Sequence, residues 1–337
     1  MCDALSDLTD FDVSTAPVIL ISNLLYLLFP LANVATFLTL QLRGCGLSQS
    51  TRIYLMSMSM ADLLVLIFYV LVYRIILPRF QHVFYLYTFV CRLISIMIAA
   101  VIDCSVWLTV SFTFDRFVII CFQRFRRTYC SPKCAALIIT IVYLLTYSRN
   151  LPYYFAILPH HEQNNMQFGC KTNPNIYTSP AWRAFYWLHT ILTPLVPYVC
   201  VALLNLLTIR HVLVASQIRR GFRGSGGEVE DPEMQSRRRA LMLLFVASAS
   251  FISLWMATVG LFLFSRITNT YFYRDFNDTF AIVNECSRML RVLNCSSSTC
   301  MYALTQARYR EELRKAMKYC ANTLSRLVAA VNRQESM

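Results

Sequence analysis

The side chains with the most chemical reach in this sequence are charges set among apolar residues. Asp115 and Arg116, followed by Phe117, stand near the far end of the 31-residue stretch from Cys91 to Cys121. An arginine that follows an aspartate at the end of an apolar helix can hold its charge at the water boundary while the carboxylate restrains it. The result is an ion pair that a partner protein can break; simple interfacial anchoring is the plainer use of the same pair. Asp62 sits in Met-Ser-Met-Ala-Asp-Leu, where a carboxylate is expensive unless paired or hydrated. Arg288 and Arg291 lie about one helical turn apart in another apolar run, with Glu285 a turn further out. Such guanidinium groups call for Glu285, Asp103, an acidic ligand group or a water-filled vestibule. His189, beside Tyr186 and Trp187, is either a satisfied core residue or a contact in a cavity. All of this is charge pairing rather than bond making. No metal-ligand spacing occurs and the eight glycines form no phosphate-cradling loop, so the sequence does not read as an enzyme.

The elements that must position these residues are apolar helices. The 337-residue chain is 57% hydrophobic and 15% charged, a balance that makes a soluble domain of this size unlike the usual composition. Seven long apolar runs appear, at 17–42, 53–78, 89–121, 135–158, 185–214, 238–264 and 277–304, each long enough to cross a bilayer as a helix at about 1.5 Å per residue. The first run lacks a basic flank and is read as a span rather than a cleavable signal. Residues 1–16 are acidic, with Asp3, Asp7, Asp10 and Asp12.

The basic residues orient the spans. Twenty of the 31 lysines and arginines fall in alternate connections and the tail: Arg43 and Arg52, a cluster from Arg124 to Lys133, seven arginines from Arg210 to Arg239, and seven residues beyond 304. The positive-inside rule then puts the N-terminus outside. The net charge of +13 becomes mainly a property of the cytoplasmic face, suited to anionic lipid and an acidic partner rather than to nucleic acid. Gly221 to Gln235 reads as a mobile inner loop, with Arg237, Arg238 and Arg239 opening the sixth span.

Cys91 lies twenty-five residues before Arg116, and with Asp115-Arg116-Phe117 this spacing resembles the third helix of rhodopsin-like G-protein-coupled receptors. Further matches are Asn33, Asp62, Phe251 with Trp255, and Tyr302. The motifs Ser105-Val106-Trp107-Leu108-Thr109-Val110, Leu151-Pro152-Tyr153-Tyr154, Trp187-Leu188-His189 and Leu293-Asn294 are most similar to an orphan branch linked to aromatic amino acids and related to neuropeptide receptors. The chain departs from the family at three places. Ala257 stands where a proline usually follows the tryptophan, Ser298-Thr299 replaces Asn-Pro before Tyr302, and the fourth helix offers Tyr143 and Tyr147 in place of tryptophan.

The resemblance implies an all-α membrane protein: a seven-transmembrane helix bundle over 17–304, an extracellular N-terminus over 1–16, and an amphipathic eighth helix with a cytoplasmic tail over 305–337. It implies a plasma-membrane receptor that passes an extracellular small-molecule or peptide signal to heterotrimeric G proteins, with membrane lipid as its other partner. Asp115, Arg116, Phe117 and Tyr302 would form the coupling switch. Asn33, Asp62, Ser105 and Asn294 would form a polar core able to take a sodium ion as allosteric ligand, with no other cofactor. The ligand pocket would involve His189, Trp255, Arg288, Arg291, Ile98 and Thr258. Ile98 occupies the place where amine receptors carry an aspartate, which disfavours a monoamine, and the seventh span has no lysine for a retinal Schiff base. Cys91 and Cys170 both face the oxidising side and form the economical disulfide, with Cys2 and Cys286 as competing outer cysteines. Cys320 would carry a palmitoyl group. Two alternatives stand beside this reading: a weakly coupling or silent receptor, because of Ala257 and Ser298-Thr299, and a transporter or channel using Asp62, Asp103, Arg288 and Arg291.

Overall fold

The computed structural model describes residues 30, 32–41, 48–76, 87–122, 129, 131–163, 166–222, 232–268, 279–305, 309–312, 314–315 and 318. Long helices dominate them. Helix α1 covers 32–41; α2 is Gln49–Val65, continued by the wider π-helical segment Leu66–Ile76. Helix α3 is Thr88–Cys121, 34 residues or about 51 Å, longer than the hydrocarbon core of a bilayer. Helix α4 is Pro132–Asn150, closed by the 3-10 turn Leu151–Ala156. Helix α5 runs through Pro180–Thr190, Ile191–Leu195 and Val196–Phe222; α6 is Pro232–Thr268 and α7 is Thr279–Thr305. A short α8 follows at 309–312.

The helix starts follow local chemistry. Ser48 caps α2 by accepting the Thr51 N–H at 3.4 Å, and Ser131 caps α4 by accepting the Cys134 N–H at 3.2 Å, with Pro132 at the first position where its missing N–H costs nothing. The observed limits correct several sequence expectations. The regular fourth helix ends at Asn150, because Pro152 cannot donate to an α-helical ladder, and Ile157 and Leu158 are already a strand. Helix α5 begins at Pro180 and α6 at Pro232, so residues expected in the inner loop at 221–222 and 232–235 are helical; 223–231 lie outside the described residues.

Helix α3 is the hub, in contact with α2, α4, α5 and α6, while α7 lies along α6 and also meets α2. One core cluster joins Leu40, Tyr54, Leu55, Leu108 and Phe112 to Tyr309 of α8, whose hydroxyl bonds Thr36 Oγ1 at 2.8 Å. A second joins Val106, Val110 and Val201 to Phe251 and Trp255. The outward faces are apolar too. Leu137, Leu144 and Leu145 of α4 and Leu206 of α5 are each 60% exposed or more, a pattern that lipid, not water, accommodates. Among the described residues five helices are long and apolar enough to cross a membrane.

Between α4 and α5 the chain forms two small antiparallel ribbons. Strand β1 (Ile157–Leu158) pairs with β4 (Lys171–Thr172), and β2 (His161–Gln163) pairs with β3 (Met166–Phe168). Gly169 leaves β3 with φ +79°, a conformation that favours glycine, and an added Cβ there would lie 2.7 Å from His160 Cβ. Its carbonyl accepts Thr88 Oγ1 at 2.7 Å, and Arg92 Nε donates to the Ile157 carbonyl at 3.0 Å. Cys170 is disulfide-bonded to Cys91, with Cα atoms 6.1 Å apart, while Cys286 is a free, exposed thiol and Cys2 lies outside the described residues.

The disulfide closes a loop with a sequence separation of 79 residues, which the chain-entropy relation values at about 4.5 kcal/mol. Cys91→Ser or Cys170→Ser should therefore each lower the thermal midpoint of the purified protein and its surface expression. The double variant should match the singles, since either change alone removes the bond.

Candidate functional site

Two π-helical segments widen the bundle on the side covered by the ribbons. In α5, Pro194 has no N–H for the carbonyl one turn earlier, and the wide turn Ile191–Leu195 absorbs the missing bond. Both Thr193 and Pro194 are buried there. A cavity of about 490 Å³ opens between α2, α3, α5, α6 and α7, with Cys170 and Thr172 on the ribbon side. Its wall is chiefly aromatic and aliphatic, including Tyr69, Ile98, Tyr153 and Trp255, and its polar members include His189, Thr258 and Arg291. Thr258 Oγ1 and Ser287 Oγ lie 3.0 Å apart, which joins α6 to α7 at this level.

Beside the cavity lies a fully buried carboxylate. Asp103 on α3 is 0% exposed and accepts bonds from two other helices. Arg149 Nη2 forms an ion pair with its Oδ2, Asn150 Nδ2 donates to the same oxygen at 2.5 Å, and Thr193 Oγ1 donates to Oδ1 at 2.7 Å. Arg149 also donates to Thr193 Oγ1 at 3.0 Å. His189 Nε2, on the cavity wall, stands 3.7 Å from Asp103 Oδ2, with the Tyr153 ring edge-on at a centroid distance of 5.6 Å. A charge at the centre of an apolar bundle is tolerable only when so matched. Here the matching ties α3, α4 and α5 together.

Nearer the middle of the bundle, Asp62 on α2 is 4% exposed and accepts Ser105 Oγ at 2.5 Å. Asn33 of α1 donates Nδ2 to the Cys295 carbonyl of α7 at 2.9 Å, and Asn294 is also buried. At the opposite end of α3 from the cavity, Asp115 and Arg116 form an ion pair with both side chains buried. Ser50 Oγ donates to Asp115 at 3.4 Å, and the Arg116 guanidinium lies 5.3 Å from the centre of the Phe112 ring. Phe117 packs edge-on against Phe122 at 5.6 Å. The Tyr302 side chain and Cys320 lie outside what is described.

The structure thus gathers His189, Trp255, Ile98, Thr258 and Arg291 around one cavity, and it separates Arg288 from them. Arg288 Nη1 bonds Glu285 Oε1 at 2.6 Å on the same helix and is not part of the cavity wall, a correction to its expected place in the pocket. Of the two internal partners expected for these arginines, Glu285 does pair with Arg288, while Asp103 is held by Arg149 instead. The signal for this was in plain view, since Arg149 falls inside the apolar run 135–158, but patterning gives no measure of which helices touch. Tyr69, Asn150 and Thr193 carried no distinguishing signal, because each is ordinary for its run.

The family described as 7 transmembrane receptor (rhodopsin family) matches residues 32–303, well over half of the chain.

Removing the Asp103 carboxylate strands the Arg149 charge, a loss of about 3–5 kcal/mol. Asp103→Ala should lower surface expression and the thermal midpoint, and adding Arg149→Ala should recover part of both. Adding Arg291→Ala instead should recover neither; rescue by that second pairing would reverse the assignment of partners.

Proposed function

The chain belongs to the rhodopsin family of seven-transmembrane receptors, and from that premise we propose that it passes the binding of an extracellular small-molecule or peptide ligand to a heterotrimeric G protein. The family is one of receptors rather than enzymes or transporters. The observation that carries the proposal is the position of Trp255. It lines the 490 Å³ cavity on one side and, on the other, packs with Phe251 at a ring distance of 5.9 Å into the cluster containing Val106 and Val110 of α3. The same helix continues to Asp115 and Arg116.

A ligand that prefers one packing of Trp255 shifts the balance between two arrangements of α6 against α3. The inner ends of α5 and α6 would open and Arg116 would leave Asp115 for the partner. A tenfold change in population needs about 1.4 kcal/mol of differential binding, which a few contacts in the cavity can supply. The N-terminal segment 1–16 is extracellular in this reading, the bundle spans 17–304, and 305–337 is cytoplasmic with Cys320 as lipid attachment point. The branch linked to aromatic amino acids suits the aromatic wall. The tyrosines and Trp255 offer ring faces, and Ile98 offers no carboxylate for an amine.

A sodium ion is the non-protein group that the family reading implies, and the residues fit it. The buried Asp62 carboxylate with the Ser105 hydroxyl supplies hard oxygen donors, and Asn294 would complete the set with Asn33 bracing α1 against α7. The ion would supply positive charge that favours one helix arrangement. A weakly coupling receptor is the second reading. What favours it is Ala257, because α6 continues from Pro232 to Thr268 with no proline at the usual hinge.

The test is nucleotide exchange on purified G proteins by the receptor in nanodiscs. Asp115→Asn should raise ligand-independent exchange, about fivefold for a restraint worth about 1 kcal/mol. Arg116→Ala should lower stimulated exchange while surface expression persists. Equal exchange by wild type and both variants would sink the switch assignment, and no exchange at all would favour the silent receptor.

A further inference from the structure

Among the described residues, four buried polar atoms on the cavity wall have no hydrogen-bond partner within the protein: Arg291 Nε, Trp255 Nε1, His189 Nε2 and Thr172 Oγ1, and the first two can only donate. Arg291 of α7 lies on its wall, with its guanidinium carbon 5.4 Å from the centre of the Tyr69 ring. Its Nε is buried without an acceptor, and so is the indole Nε1 of Trp255 on the same wall. Other carboxylates of the bundle are engaged elsewhere: Asp103 by Arg149, Glu285 by Arg288 and Asp115 by Arg116. Asp62 accepts Ser105 and lies within hydrogen-bond reach of the Cys295 thiol, and among the described residues no carboxylate is within ion-pair distance of Arg291.

A guanidinium in an apolar bundle with no anion is costly. Tyr69 supports one face of the group through its ring, and Tyr69 in turn stacks on Tyr73 at 6.0 Å. An arginine held over a ring keeps its planar fork of N–H donors free at the edge, the geometry that reads a carboxylate with two parallel bonds. We propose that Arg291 is the anchor for an anionic ligand, a monocarboxylate with an aromatic or aliphatic body, and that Trp255 Nε1 is a second donor toward it. The inference rests on the receptor reading and adds the ligand's charge. His189 belongs to the opposite part of the wall beside Asp103, which disfavours a second ligand anion there.

The test uses full-length receptor in nanodiscs and two matched pools, one of aromatic and medium-chain aliphatic monocarboxylates and one of the corresponding primary amides, with thermal midpoint and direct binding as readouts. At least one carboxylate should stabilise the wild type and bind at least tenfold more tightly than its amide. Arg291→Gln should abolish that preference, Arg291→Lys should retain part of it, and Arg288→Gln should leave it intact. Ligand-free Arg291→Gln should melt at or above the wild-type temperature, because the substitution removes an unmatched charge. A lower midpoint would mean that Arg291 serves an internal partner such as Asp62 and would overturn the proposal. So would a wild type that no carboxylate stabilises, or a carboxylate preference that survives Arg291→Gln. Ligand-independent nucleotide exchange in the same nanodiscs reports separately on the receptor reading, so failure of one is distinguishable from failure of the other.

Discussion

A charge inside an apolar bundle has to be matched, by the bundle itself or by what binds in it, and the structure is arranged around that constraint. Asp103 is the clearest case. It is fully buried, and its two oxygens are satisfied by Arg149, Asn150 and Thr193 from the two helices that flank α3. The stabilisation gained is modest, because both ions lose their hydration. The geometric consequence is larger: α4 and α5 cannot rotate against α3 without exposing a bare charge to hydrocarbon. That fixes the wall on which His189 stands.

The same constraint divides the helix into functional levels. At one end the disulfide and the Thr88 and Arg92 contacts hold the ribbons over the cavity. In the middle Asp103 and Asp62 are both occupied by donors. At the other end Asp115 is matched by a neighbour in sequence, Arg116. An ion pair between adjacent residues ties no two helices together, so its rupture costs local pairing rather than the fold. That is the physical reason it suits a switch, whereas the Asp103 cluster suits a pivot.

Trp255 connects the levels. Its ring belongs both to the cavity wall and to the cluster against α3, so a change of packing on one face is felt on the other. With Ala257 in place of proline, α6 continues as a regular helix through this region and carries no proline kink there.

Hydrophobic length, the placement of basic residues and the Cys91-to-Arg116 spacing were enough to read seven spans, an α-helical membrane protein and its family from the sequence alone, because bilayer thickness and charge cost act on each segment separately. The Asp115–Arg116 pair was legible for the same reason: its partners are adjacent. The disulfide was the economical pairing among four cysteines read as outer, and the structure joins Cys91 to Cys170. What the sequence left open was how the arginines and the remaining carboxylates pair between helices. Arg288, Arg291, Glu285 and Asp103 formed an ambiguous set, and only the packing of α3 against α4 delivered Asp103 to Arg149 while Arg288 turned to Glu285 and Arg291 to the cavity. Which face of a helix meets which neighbour depends on rotation and depth in the bundle, and those are set by the summed packing of all the helices rather than by any one run of residues.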